Sequence, residues 1–159
     1  MECFTMSILR ENYILYNGVR IPKTGIKREF DNCEIAPMAN QIAFHAGRTQ
    51  EEYVAFCNRH NILIEAYSPL ATGRALSNKL LNEVASSYEV SVAQLLIRFA
   101  LQRGTLPLPK TTTYKRMVEN TKVDHFEISG NDMEILNILS IPSSWLILRP
   151  SPETHPAPL

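Results

Sequence analysis

The sequence of 159 residues lacks the features that mark nucleic-acid binders and membrane proteins. Neither sign of charge is in excess, because 16 basic residues balance 16 acidic ones, and binding to phosphate backbones needs a surplus of Lys and Arg. No apolar run approaches the roughly 18 residues of a membrane span. The N-terminus has the acidic Glu2 and no apolar segment, so secretion is not expected. The composition predicts one globular domain with no nucleic-acid or membrane partner.

Cysteine and the common catalytic motifs are also sparse. Cys3, Cys33 and Cys57 are odd in number and form no close pair, which fits a reducing, cytoplasmic location. The four histidines show no metal-ligand spacing. Walker A, GxGxxG and GxSxG motifs are absent, so P-loop, Rossmann and α/β-hydrolase sites are not expected.

Patterning divides the chain into five segments. Residues 1–11 are predicted to be disordered, and 12–25 to form a hairpin around Asn17-Gly18. An irregular junction (26–37) leads to an α/β region (38–142). Residues 143–159, with Trp145 and four prolines, are expected to form a loop and an extended tail.

The α/β region alternates strands with helices. Strands are predicted at 38–44, 62–70 and 105–110, and the last suits a sheet edge because of its prolines. Capping boxes at Thr49–Glu52 and Ser91–Gln94 open two of the helices, and Gly104 closes the second. Strand, helix, strand, helix pair, strand, helix is typical of a parallel α/β sheet.

The segment 109–120 has the composition of a phosphate site. Lys110 follows a strand, Thr111 supplies a hydroxyl near a helix N-terminus, and Arg116 lies one turn further, with Glu119 and Asn120 on its face. A capped surface helix with incidental charges explains the same residues.

Two other strand ends carry candidate ligand contacts. Tyr67 could stack on a flat heterocycle, with Ser68 and Thr72 offering hydroxyls beside it, or it could be a core residue before a proline turn. Asn40 and Gln41 need partners for their amides, either backbone or a ligand carboxamide. His45 suggests acid–base chemistry or a structural hydrogen bond.

Three motifs in this order, NQIAFH (40–45), EAYSPLATG (65–73) and LPLPKTTTYKRMVEN (106–120), resemble the C-terminal half of the aldo-keto reductases. NYILYNGVRIPKTG (12–25) is similar to their opening hairpin. The resemblance implies a partial (β/α)8 TIM barrel that retains the N-terminal hairpin and the last three βα units. It also implies NADPH as the cofactor and hydride transfer to aldehyde or ketone carbonyls.

The resemblance assigns a cofactor role to ten residues. It implies that Gln41 binds the nicotinamide carboxamide and that Tyr67 stacks on the ring. Beside the pyrophosphate it places Ser68, Leu70 and Thr72. It assigns Lys110, Thr111 and Arg116 to the 2′-phosphate site, and it places Glu119 and Asn120 near the adenine.

The catalytic Asp, Tyr, Lys and His motifs of that family, carried on its first four strands, do not occur here. The resemblance therefore implies an internal deletion between the hairpin and Pro37, and no catalytic residue in this chain. We expect impaired or absent catalysis and self-association through open strand edges. A non-catalytic NADP-binding or regulatory module, a partner of an intact reductase, and an error in the gene model remain as alternatives.

Overall fold

The computed structural model describes the backbone of an N-terminal strand pair and all of residues 38–139. Strands β1 (Tyr13–Tyr16) and β2 (Val19–Pro22) pair antiparallel, with Tyr16 opposite Val19. The predicted Asn17-Gly18 turn lies outside the described residues, as do the segments predicted for 1–11, 26–37 and 143–159.

Residues 38–139 contain three strands interleaved with helices. Their order is β3 (Ala39–Ala43), α1 (Glu51–Arg59), β4 (Leu63–Tyr67), a 3-10 segment (Ala71–Ser77), α2 (Lys79–Ser87), α3 (Val92–Gln102), β5 (Leu106–Leu108), α4 (Tyr114–Asn120) and α5 (Gly130–Ile138). No helix in this part of the chain is long and apolar enough to cross a membrane.

The three strands form a parallel sheet in the order β3-β4-β5. Tyr67 is in register with both Ala43 and Leu108, so the carboxyl ends of the strands meet at one edge. Each strand is followed by at least one helix. These are three consecutive βα units, as the sequence predicted.

The core lies between one face of this sheet and the helices. Ile42, Ile64 and Ala66 point to that face and are buried, because alternate strand residues share a face. The ring of Phe44 stacks with that of Phe99 at a centroid distance of 6.1 Å. One apolar face of α3 is buried, at Val92, Leu95, Leu96, Phe99 and Ala100.

Both ends of α3 follow local sequence signals. The Ser91 hydroxyl accepts from the backbone N–H of Gln94 at 3.3 Å, and the side-chain oxygen of Gln94 accepts from the backbone N–H of Ser91 at 3.0 Å. At the other end Gly104 has φ +72°, and its N–H donates to the Leu101 carbonyl at 2.9 Å. The predicted capping box and terminating glycine of this helix are confirmed.

The capping box predicted for α1 is wrong. The helix begins at Glu51, and Gln50 rather than Thr49 is its N-cap, with φ +47° and no capping side chain. Thr49 is buried and hydrogen-bonds the Glu51 carboxylate instead. The Gln50 side chain donates to the Ala43 carbonyl at 2.6 Å, so a contact with β3 replaces the local capping pattern.

The second face of the sheet, the open face, is partly exposed in the described part of the chain, although Ala43 on it is buried. Leu63, Leu106 and Leu108 lie on it with exposures of 47%, 43% and 40%. Within the described residues β3 and β5 each pair on one side only, which leaves two strand edges free.

Candidate functional site

A cavity of about 710 Å³ opens at the carboxyl edge of β4 and β5. Its walls come from the loop after β4 (68–73), α2, the turn before α3 (90–93), the loop after β5 (109–111) and α4. Ligands of parallel α/β folds bind at this edge, because the loops that follow the strands gather there.

Eight of the ten residues that the resemblance assigned to a cofactor line this one cavity. They are Ser68, Leu70, Thr72, Lys110, Thr111, Arg116, Glu119 and Asn120. Gln41 and Tyr67 are not among the lining residues. The structure thus brings together the residues assigned to phosphates and adenine, and leaves out the two assigned to nicotinamide.

The loop after β4 has an unusual backbone. Ser68, Ala71 and Thr72 have φ of +54°, +46° and +58°, and Gly73 has +84°. Left-handed conformations are rare for residues with a side chain, above all for β-branched Thr, and such strain clusters at ligand-binding loops. Open space surrounds the position where a Cβ of residue 73 would lie, so the backbone conformation is the reason for glycine there.

Two cations dominate the charge of the cavity. Lys110 lies in the loop after β5, Arg116 lies on α4, and both side chains are exposed. The Thr111 hydroxyl accepts from the Thr113 backbone nitrogen at 3.2 Å, which shapes the loop between them. Because α4 has only seven residues, the two side-chain cations rather than the helix dipole are the main positive charges at the cavity.

The opposite wall was not predicted from the sequence. Besides the apolar side chains of Leu76, Ala85, Val90 and Val92, it includes Asn82. The Asn82 amide donates to the carbonyls of Asn78 at 2.7 Å and Leu76 at 3.1 Å, which fixes the start of α2. Asn82, Ala85 and Ser86 share one face of α2. Their helical spacing was the signal in the sequence from which this wall of the cavity could have been predicted. Apolar spacing alone does not distinguish a cavity wall from the core.

Gln94 holds α4 in place beside the cavity. Its side-chain nitrogen donates to the carbonyls of Lys122 at 2.8 Å and Glu119 at 3.3 Å. The same side chain completes the cap of α3 through Ser91. One amide therefore sets the position of α4 relative to α3.

The side-chain amides of Asn40 and Gln41, on β3, contact other side chains rather than the backbone groups considered from the sequence. The Gln41 side-chain nitrogen donates to the Glu65 carboxylate at 2.9 Å, across the β3–β4 pair. The Asn40 side-chain nitrogen lies 3.7 Å from the Cys57 sulfur on α1. Burial raises the pKa of the Cys57 thiol, so it is a packed group rather than a reactive one.

His45 is a buried structural group. Its Nδ1 lies 2.8 Å from the Ala46 carbonyl and donates to it in the neutral ring. Burial lowers its pKa, and the charge of Arg48 acts in the same direction, against the opposing effect of the Ala46 hydrogen bond. In the described part of the chain no three His, Cys, Asp or Glu side chains converge on a possible metal position.

Comparison with known proteins defines the class. The family model described as Aldo/keto reductase family matches residues 18–141, and the chain belongs to this family of oxidoreductases. The structure is accordingly part of a (β/α)8 barrel, with the hairpin and three βα units that the sequence predicted.

Individual relatives are similar over the same region. The uncharacterized oxidoreductase YtbE of Bacillus subtilis is 40% identical over 107 residues, covering 67% of this chain and 38% of the relative. Glyoxal reductase of the same organism is 38% identical over 109 residues, covering 69% and 40%. An aldo-keto reductase of Bombyx mori, solved in complex with NADP, has a TM-score of 0.67 and 29% identity over 80% of this chain and 47% of its own. The chain spans less than half the length of these relatives.

Proposed function

We propose that this chain binds NADPH or NADP⁺ in the cavity at the carboxyl edge of β4 and β5, and that on its own it does not reduce carbonyls. The observation that supports this is the convergence of eight cofactor-assigned residues on one cavity. The Bombyx mori reductase was solved with NADP, which indicates the cofactor of a similar fold.

The chemistry of the walls suits the parts of such a dinucleotide. Lys110, Thr111 and Arg116 would hold the 2′-phosphate, because guanidinium and ammonium groups form strong charge-assisted bonds with phosphate oxygens. Ser68, Leu70 and Thr72 would lie along the pyrophosphate. Glu119 and Asn120 would contact the adenine amino group, and the ring would lie against the apolar wall that includes Ala85 and Val90.

This sequence lacks the groups that carbonyl reduction requires in the family. When bound, NADPH supplies a hydride for an aldehyde or ketone, and the reaction also needs a proton donor and groups that orient the carbonyl. The Asp, Tyr, Lys and His motifs that provide them in the family do not occur here. Tyr67 and Lys110 belong to the cofactor assignment and do not replace them.

Calorimetric titration of the purified chain with NADPH tests the binding proposal. We expect one saturable site, weakened about tenfold or more by Arg116→Ala, since hydrogen bonds to charged groups contribute roughly 1.5–3 kcal/mol. Lys115→Ala is the matched control, because Lys115 is an exposed cation of α4 that does not line the cavity. Absence of saturable binding, or equal effects of both variants, would contradict the proposal.

Carbonyl-dependent oxidation of NADPH tests the second part. We expect no turnover with a panel of aldehydes. The panel includes glyoxal, the compound that appears in the name of the Bacillus subtilis relative glyoxal reductase. A rate comparable with that of an intact reductase would show that other residues of this chain supply the chemistry.

A second copy of this chain is the partner that we propose for the open sheet. The free edges of β3 and β5 in the described structure, together with the exposed leucines beside them, support pairing between chains. The same edges could serve a regulatory association with an intact reductase.

The few scattered cysteines support a cytoplasmic location.

A further inference from the structure

We propose that two copies of this chain join through β3 alone, antiparallel and around a two-fold axis at Asn40. The inference rests on the self-association proposed above, and it specifies the strand, the register and the symmetry of that contact. The product is a dimer with one continuous sheet in the order β5-β4-β3-β3-β4-β5. Each copy keeps its own cavity, because the contact lies at the edge of the sheet away from β5.

The free edge of β5 has no backbone donor to offer. Successive residues of a strand direct their backbone groups to alternate sides. The Tyr67 carbonyl accepts from the β3 side, so the preceding residue, Ala66, faces β5, and its register leaves Pro107 directed to the free edge. Pro107 has no N–H, and the N–H of Thr105 already donates to the Ala100 carbonyl at 3.1 Å. Proline at such a position prevents the pairing of an edge strand.

The free edge of β3 keeps both donors and acceptors. The N–H of Phe44 bonds to β4 at 3.3 Å, so even-numbered residues of this strand face β4 and odd-numbered ones face outward. Ala39 and Gln41 therefore present N–H and C=O groups at an edge with no strand beside it in the described part of the chain. The Ala43 carbonyl is already used by the Gln50 side chain at 2.6 Å. Four backbone bonds form when Ala39 of each copy lies opposite Gln41 of the other.

This register brings the two copies of Asn40 together on the axis. Residues directly opposite each other in an antiparallel pair have Cβ atoms about 5 Å apart on the same face. Asn40 is 2% exposed, and its side-chain oxygen has no hydrogen-bond partner among the described residues. A buried acceptor without a partner is destabilising. The contact brings the Asn40 amide of the second copy within reach of this oxygen as a donor.

The same axis places the two α1 helices side by side. Because α1 connects β3 and β4 and lies over them, its two copies are separated by two strand spacings, about 10 Å, which is the distance of packed helices. Glu51 forms an ion pair with Arg103, the residue after α3, so this flank of α1 faces α3. The opposite flank carries the half-buried rings of Tyr53, Phe56 and His60, and it faces the free edge of β3.

The charges at the two ends of α1 are complementary across the axis. Phe56 lies near the axis, because the neighbouring Cys57 has its sulfur 3.7 Å from the Asn40 side chain. Glu52 comes four residues before Phe56 and Arg59 three residues after it, and both are exposed. In antiparallel helices, Glu52 of each copy lies beside Arg59 of the other. The dimer therefore has two ion pairs between its helices.

The dimer also accounts for the exposed leucines of the open face. A sheet that is part of a barrel curves toward the face without helices, so a six-stranded continuation turns the open faces of both copies toward one shared concave side. Leu63 and Leu106 of both copies lie on that side. Because the outer strands of the dimer are the two β5 strands, which lack edge donors, growth stops at two copies.

Sedimentation equilibrium with charge-reversed variants tests the proposal. The native chain of 18.0 kDa should reach twice its mass, and no more, as the concentration rises. Glu52→Arg and Arg59→Glu should each weaken the dimer about tenfold, because each replaces two attractive pairs with two repulsive ones. An equimolar mixture of the two variants, and the double variant, should recover most of this loss. Recovery in the double variant excludes a general effect on folding, since it carries both changes.

A second measurement tests the backbone pairing. Ala39→Pro removes an outward N–H without breaking a bond to β4, so it should weaken the dimer at least tenfold. Ala39→Val is the matched control, because valine keeps the N–H and favours a strand, and it should dimerise like the native chain. In the native chain, hydrogen exchange at the amides of Ala39 and Gln41 should slow as the concentration rises.

The outcomes separate this inference from the proposed self-association. Association that does not respond to the Glu52 and Arg59 changes, that continues beyond two copies, or that leaves exchange at Ala39 and Gln41 unchanged overturns the inference and leaves self-association standing. A native chain that stays monomeric at tens of micromolar overturns both. Binding of NADPH, measured by calorimetry, is independent of either result.

Discussion

His45 shows how a single side chain can make the stability of this fold depend on pH. The ring is buried beside Arg48 and donates to the Ala46 carbonyl. Burial lowers its pKa below the ordinary value of 6.5, so the unfolded chain takes up a proton more readily than the folded one. The folded state therefore loses stability as the pH falls below that value, and nothing is lost above it, where both states are neutral.

Replacing this histidine should remove part of the acid sensitivity. We expect His45→Asn to flatten the dependence of unfolding free energy on pH between 7 and 5, because the Asn amide can donate to Ala46 but does not titrate. Urea unfolding at several pH values measures this. His125→Asn, on an exposed side chain, is the control and should keep the original slope. Identical slopes for all three proteins would contradict the assignment.

Among the elements, α3 has the most clearly defined ends. Gly104 terminates it in the left-handed region, and Thr105 donates its N–H to the Ala100 carbonyl at 3.1 Å. No atom lies within 4 Å of a Cβ placed on Gly104, so any cost of a side chain there is conformational. Gly130, the first residue of α5, has equally open surroundings but no positive φ.

These two glycines should respond to alanine with opposite signs. Gly104→Ala should lower the free energy of unfolding by about 1 kcal/mol, because alanine is strained at positive φ. Gly130→Ala should raise it by about 0.5 kcal/mol, because alanine restricts the unfolded chain without strain in the helix. Chemical denaturation of both variants measures the pair. A loss of stability in Gly130→Ala would show that the room for a Cβ, rather than the backbone conformation, determines the effect of the substitution.

Two glutamines of α3 allow a test of how α4 is positioned. Gln94 bonds to Glu119 and Lys122 beside the cavity, and Gln102 bonds to both backbone groups of Ile128 away from it. We expect Gln94→Ala and Gln102→Ala to destabilise the fold similarly, by about 1–2 kcal/mol. Gln94→Ala alone should weaken NADPH binding and speed hydrogen exchange in α4. Equal effects of both variants on binding would refute the specific role of Gln94.

Prediction from sequence succeeded where the deciding contacts are local. Ser91, Gln94 and Gly104 act within one or two helical turns, so their spacing was sufficient. The capping box predicted at Thr49 failed because a contact between Gln50 and β3 sets the start of α1. The Gln41–Glu65 bond depends on the pairing register of two strands, which residue spacing does not reveal. The apolar wall of the cavity has the same periodicity as a core, so only the fold distinguishes the two.

At the scale of the whole molecule, the sheet has helices on one face and exposed leucines on the other. Parallel sheets are normally covered on both faces, because their strands are apolar on both. Leu63 and Leu106 lie on the open face of β4 and β5 without such a cover among the described residues. Association of two chains would bury this surface.

Charge on the open face should oppose that association. We expect the native chain to show a mass that increases with concentration in analytical ultracentrifugation, and Leu63→Lys or Leu106→Lys to shift it toward the monomer. Ile138→Lys is the matched control, since Ile138 is 73% exposed on α5. A native chain that stays monomeric up to tens of micromolar would refute the proposed association.

The turn that follows β3 connects early and late parts of the chain. The N–H of Gly47 donates to the carbonyl of Leu136 at 2.9 Å, and Leu136 is fully buried in the core. These residues are separated by about 90 positions. Contacts between distant positions slow folding, and chains fold progressively as the ribosome releases them. During synthesis, β3 can pair with β4 early, but the Gly47–Leu136 bond can form only after α5 has left the ribosome.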